Sequence, residues 1–124
     1  MDIVISNTSG DPIYRQIFDQ ISAQIIKGVL PSDFCLPPIR TVAKELRISV
    51  ITVKRAWEEL EHTGLIYTMA GKGCFVAPQL PNALDAMRSQ LASEKLAKDM
   101  EYYKTLGFSL EEIVAMIKQN YNKQ

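Results

Sequence analysis

The sequence predicts a mainly α fold with a small β wing, a winged helix-turn-helix followed by a two-helix C-terminal tail. Three observations predict it. Three amphipathic segments follow one another, and the second and third are separated by about three residues. Two short β-prone stretches around a glycine-rich turn come directly after them. At 124 residues the chain has room for one small domain with a helical appendage.

The first helix begins in the pattern at Asp11, read as an N-cap with Pro12 at the first helical position. Tyr14, Ile17, Phe18, Ile21 and Ile25 give its apolar face, and Gly28 and Pro31 mark its stop. Residues 29–36 read as a loop. After Pro37-Pro38, the residues Ile39, Val42, Ala43 and Leu46 repeat the helical spacing over a short second helix. Ser49 then caps a third, with Val53, Ala56, Trp57 and Leu60 on one side and Gly64 as the closing C′ residue. Residues 65–69 and 74–76 are two strands around Ala70-Gly71-Lys72-Gly73, which places a wing after the helix-turn-helix. The first module therefore covers residues 1–77, with 78–81 as a stiff linker bracketed by Pro78 and Pro81.

The tail, residues 82–124, carries no strand signal and divides at Gly107. Its first helix holds Leu84, Met87, Leu91, Leu96, Met100, Tyr103 and Leu106, whose apolar direction drifts around the axis. Its second opens on a capping box, Ser109 with Glu112, and runs through Leu110, Ile113, Val114, Ile117 and Tyr121. Two helices of this size enclose little core, so these faces need a partner, either the first module or a second copy of the chain. Leu91, Met100, Tyr103, Leu110, Ile113, Val114, Ile117 and Tyr121 are the candidate dimer contacts.

Composition bounds the chemistry. Apolar residues make up 47% and charged residues 23%, the proportions of a folding globular chain. No apolar run reaches the roughly 18 residues of a membrane span, and the opening residues lack a leader pattern, so the chain reads as cytoplasmic. Cys35 and Cys74 fit neither a metal site nor a redox pair and read as small, partly buried residues. The one histidine, His62, falls at a helix C-terminus where a cation suits the dipole. Without a nucleophile–base pair or carboxylate cluster, the sequence points to no enzyme, no metal and no cofactor.

Zero net charge argues against a phosphate-binding surface until the charges are located. Between Cys35 and Trp57 stand Arg40, Lys44, Arg47, Lys54 and Arg55, against the single acid Glu45. Such a patch suits a polyanion, or is a solvated charged face.

Several ordered motifs carry a resemblance. Pro12-Ile13-Tyr14-Arg15-Gln16-Ile17, Leu36-Pro37-Pro38-Ile39-Arg40, Ser49-Val50-Ile51-Thr52-Val53-Lys54-Arg55-Ala56, Gly64-Leu65-Ile66 and Gly71-Lys72-Gly73-Cys74-Phe75-Val76 resemble the successive motifs of the GntR family of transcription regulators. The short helical tail resembles the YtrA subfamily. The resemblance implies that Arg40, Lys54 and Lys72 contact DNA. Independently, Arg40 lies off the apolar face of its helix, where it can meet a phosphate or guanine edge, or form a local ion pair. Ser49 and Thr52 open the third helix, where hydroxyls can bind phosphate, cap the helix, or both. Gly71 and Gly73 give the backbone freedom to carry Lys72 into a minor groove or onto phosphate. Arg55 is either a phosphate contact or a plain surface charge.

The chain departs from the family at Val50, where arginine is frequent. Val50 and Ile51 offer methyl groups to thymine, or Val50 packs inward. The expectation is a repressor that binds a palindromic double-stranded operator as a homodimer, with any small-molecule effector unidentified. The rival is a winged helix used only for protein–protein contact.

Overall fold

Helix α1, Ile13–Ile26, forms where Ile17, Phe18, Ile21 and Ile25 recur on one face, and all four are buried. Its N-cap is Pro12 rather than Asp11, and no side chain caps it. Proline adopts ψ 151°, outside the helical range, and its carbonyl accepts the N–H groups of Arg15 and Gln16. The backbone of Asp11 is engaged elsewhere: its N–H donates to Ser9 Oγ and its carbonyl accepts from Gln16 Nε2.

The structure is a computed structural model that describes residues 1–123. Its elements continue with α2 (Ile39–Leu46), α3 (Val50–His62), β1 (Ile66–Met69), β2 (Gly73–Val76), α4 (Pro81–Thr105) and α5 (Leu110–Lys123). Two compact units result, one spanning Met1–Leu84 and one beginning at Asp85. Helix α4 thus starts at Pro81, the last residue of the stretch read as a linker. Before it, Gln79 Nε2 donates to the Gly64 carbonyl and Ala77 N–H to that of Leu65, holding residues 77–79 to the first unit.

In that unit α1, α2 and α3 pack around Ile17, Ile21, Val42, Val53, Trp57 and Leu60, with Leu65, Ile66 and Val76 closing the core from the wing. An extended arm precedes α1. Gln20 exchanges two hydrogen bonds with the Val4 backbone, Gln16 does the same with Ser6, and Gln24 Nε2 donates to the Asp2 carbonyl. Three amides one helical turn apart thus act as a strand's edge would, satisfying the backbone of the arm.

Arg47 closes α2 in the left-handed region, at φ 57°. Ile48 N–H then reaches the Ala43 carbonyl, so the chain reverses within one residue and Ser49 can cap α3. At the other end of α3, Gly64 takes φ 82°. Gly64 N–H bonds the Glu61 carbonyl and Leu65 N–H that of Leu60, a Schellman closure that aims β1 back across the core.

Strands β1 and β2 pair antiparallel, from Ile66 opposite Val76 to Met69 opposite Gly73. Residues 29–36, expected as a loop, add a third edge. Cys35 bridges Phe75, Leu36 N–H donates to Cys74, Val76 N–H to Phe34 and Asp33 N–H to Val76. Loops form ladders when a strand edge lies beside them with unpaired groups, and periodicity does not reveal this. Tyr67 stacks on its cross-strand partner Phe75 and donates its hydroxyl to Asp33, which raises the phenol's pKa. Cys35 is exposed rather than partly buried, since its backbone and not its side chain makes the bridge; Cys74 is half-buried.

In the second unit no residue of α4 is buried. Helix α5 begins at the expected capping box: Ser109 Oγ accepts the Glu112 N–H at 3.2 Å, and Glu112 Oε1 accepts the Ser109 N–H at 2.9 Å. These bonds hold the Glu112 carboxyl below the usual carboxylate range. Ile113 is buried within the chain itself, so it does not belong to the open stripe expected for it. Leu110, Val114, Ile117 and Tyr121 remain 70%, 39%, 49% and 80% exposed. Leu91, Met100 and Tyr103 of α4 are half-buried.

Candidate nucleic-acid interface

Helix α3 divides by charge along its length. Its N-terminal half carries Lys54 and Arg55 with no acid, whereas Glu58, Glu59 and Glu61 occupy the C-terminal half. Only the N-terminal half can approach a polyanion without like-charge repulsion. That half also presents the expected side chains outward. Val53, Ala56, Trp57 and Leu60 are buried, while Ile51 is 79% and Val50 42% exposed and both Lys54 and Arg55 are exposed. Val50 therefore does not pack into the core, because the core-facing line runs through Val53 and Trp57.

Ser49 caps α3 as expected, its Oγ accepting the Thr52 N–H at 3.2 Å. The same oxygen lies 2.7 Å from Thr52 Oγ1. The two hydroxyls are thus occupied with each other and with the helix terminus, which fixes the geometry from which Val50 and Ile51 project.

Arg40 stands in the first turn of α2 and Lys72 at the tip of the wing, where its N–H closes the turn onto the Met69 carbonyl. Gly71 and Gly73 flank it at φ 75° and 121°, conformations that favour glycine. Arg40 and Lys72, distant in sequence, line one apolar cleft of about 320 Å³ whose floor includes Leu36, Ile39 and Trp57. The loop-to-wing bridge at Cys35 brings them together. Among the described residues, Arg40, Lys44, Arg47, Lys54 and Lys72 enter no ion pair. The local ion pair expected as the alternative for Arg40 is absent among the described residues. Arg55 is the exception in kind: its guanidinium lies on the Tyr14 ring, 3.8 Å from the centroid.

No described cluster of His, Cys, Asp and Glu could hold a metal, and no described helix is long and apolar enough to cross a membrane.

The family model of bacterial regulatory proteins, gntR family, matches residues 13–76, from the start of α1 to the end of the wing. The chain belongs to the gntR family. It is a DNA-binding transcription regulator of that family and not an enzyme. Its likeness extends past the winged helix. The repressor YtrA of Bacillus subtilis is 29% identical over 94% of this chain and 90% of its own length. Among solved structures, YtrA from Sulfolobus acidocaldarius superposes with a TM-score of 0.61 at 33% identity, over 77% of this chain and 97% of that one. The chain is thus YtrA-like, including the short helical tail. AraR(DBD) in complex with operator ORX1 matches with a TM-score of 0.55 at 26% identity, over 62% of this chain and 96% of that one.

Sequence reasoning missed two contributors to the site. The spacing puts Tyr14 on the apolar face of α1, yet it is half-buried and carries Arg55. Residues 33–36 were read as a connection, yet they anchor the wing. The aromatic in Pro12-Ile13-Tyr14 next to a basic recognition helix was the only signal for the first, and the second left none.

Proposed function

We propose that the protein is a repressor that binds a palindromic operator as a homodimer in the cytoplasm. The N-terminal half of α3 lies in the major groove of each half-site, with Val50 and Ile51 against thymine methyls and Lys54 on the groove wall. Arg40 reads a base edge or adjoining phosphate, and Lys72 follows the minor groove or its phosphates from the wing. The observation that carries this reading is the set of exposed cations Arg40, Lys54 and Lys72, none of which has a carboxylate partner among the described residues. Solvated surface faces usually intersperse both signs; an uncompensated set beside a helix terminus suits phosphate.

Dimerisation through the tail rests on Leu110, Val114, Ile117 and Tyr121, an exposed line at helical spacing. The cavity within the tail measures about 180 Å³, lined by Tyr103, Ile113, Met116, Ile117 and Asn120. This is smaller than the roughly 300 Å³ at which small-molecule sites begin, so an effector site at this place in the tail would need the second subunit to complete it.

Footprinting the purified protein on the DNA upstream of its own coding sequence tests the reading. The expected result is protection of an inverted repeat, with half-sites about one helical turn apart and affinity that falls steeply with salt. A protein that binds no duplex at low salt would instead be a protein–protein module.

A further inference from the structure

Arg55 and Tyr14 belong to different helices and meet at the edge of the α1–α3 contact. The guanidinium carbon lies 3.8 Å from the centre of the Tyr14 ring, and Arg55 Nη2 donates to the Tyr14 hydroxyl at 3.2 Å. Stacking and hydrogen bond together fix both the plane and the rotation of a side chain that is otherwise exposed. A free surface arginine samples many rotamers and loses that freedom on binding; one already held loses less. Two contacts on one exposed arginine are more than stability requires, since neither group is buried in the core.

We propose that Tyr14 is a positioning residue for DNA binding, holding Arg55 against α1 so that its guanidinium meets a backbone phosphate beside the major groove. This rests on the DNA-binding reading given above. Held on Tyr14, Arg55 stays on the flank of α3 next to α1, one helical turn beyond Ile51. From that flank the nearest part of a duplex is a strand backbone, not a base edge. Planar guanidinium suits the role, because two of its N–H groups can meet phosphate oxygens while another stays on the tyrosine oxygen. Tyr14 thereby joins the recognition helix to the helix behind it, and the phosphate contact sets the depth of α3 in the groove.

The test is a double-mutant cycle on the full chain with Tyr14→Ala, Tyr14→Phe, Arg55→Ala and the Tyr14→Ala/Arg55→Ala pair. A mixed-sequence duplex of about three helical turns serves as probe, with affinity measured across a salt series, since a phosphate contact needs no operator. Arg55→Ala is expected to lower the slope of log affinity against log salt by about one. Tyr14→Ala should weaken binding several-fold in the parent and leave it unchanged once Arg55 is gone, while Tyr14→Phe, which keeps the stacking, falls between. Urea unfolding midpoints identify any variant that fails to fold, and if Tyr14→Ala does, Tyr14→Phe carries the cycle. Additive losses from Tyr14 and Arg55, or an unchanged salt slope in Arg55→Ala, would overturn the clamp while leaving DNA binding in place. A parent protein without salt-dependent duplex binding would overturn the DNA-binding reading and the clamp with it.

Discussion

Arg40 and Arg47 are exposed arginines at opposite ends of α2, and their backbones differ. Arg40 sits in regular helix with no ion-pair partner among the described residues, so its removal should cost the fold little. Arg40→Ala should weaken operator binding by about 1–3 kcal/mol if the residue reads a base, with the unfolding midpoint unmoved. Unchanged operator affinity would remove it from the interface. Arg47 instead occupies φ 57° and ψ 46°, a conformation that costs an L-residue about 1–2 kcal/mol. Arg47→Gly should therefore raise stability by about 1 kcal/mol after the entropy of glycine is counted, read as a higher urea midpoint at constant m-value. No gain would mean that the arginine's own contacts offset the strain.

The wing and α5 show how single elements depend on a few local bonds. Gly71 and Gly73 give the wing its turn and the Cys35–Phe75 bridge gives it a base, leaving Lys72 as a cation on a braced hairpin. Lys72→Ala should lower affinity evenly across sequences and reduce the salt slope by about one. Selective loss of operator over random DNA would show that the wing reads sequence instead. In α5 the reciprocal Ser109–Glu112 bonds need an ionised carboxylate, and they lower its folded pKa. A depressed folded pKa contributes stability above the unfolded value, and this is lost as pH falls through the folded one. Helicity of the tail should thus decline on acidification through and below the usual carboxylate range. Glu112→Gln, followed by circular dichroism, should remove that pH-dependent part; an identical acid profile in the variant would assign the loss to other carboxylates.

For the whole molecule, the question is how one protomer with few cations gains useful affinity. In the proposed dimer two copies double the phosphate contacts on one operator, and the exposed line Leu110, Val114, Ile117, Tyr121 is the seam proposed to join them. Ile117→Asp would place a carboxylate in that seam, where an unpaired buried charge costs several kcal/mol and dissociation relieves it. A folded monomer is expected by sedimentation, with operator binding lost at concentrations where the parent saturates. A variant that stays dimeric and still binds would move the interface elsewhere.

Elements with local causes can be read from the order of residues alone. Apolar residues at helical spacing, Ser49 and the Ser109–Glu112 pair as caps, and glycines where the backbone must turn left-handed all act over a few residues, so they are legible in order along the chain. The exposed cations of the candidate interface were legible for the same reason, being those left off the apolar faces. Whatever depends on meetings between distant segments emerges with the packed fold. It moved the N-cap of α1 from Asp11 to Pro12, with Gln16 Nε2 taking the Asp11 carbonyl instead. It turned residues 33–36 into a strand edge, exposed Val50, buried Ile113, and set Arg55 on Tyr14. Hydrogen-bond partners, burial and stacking are properties of pairs, and a pair separated by tens of residues has no period in the sequence to announce it.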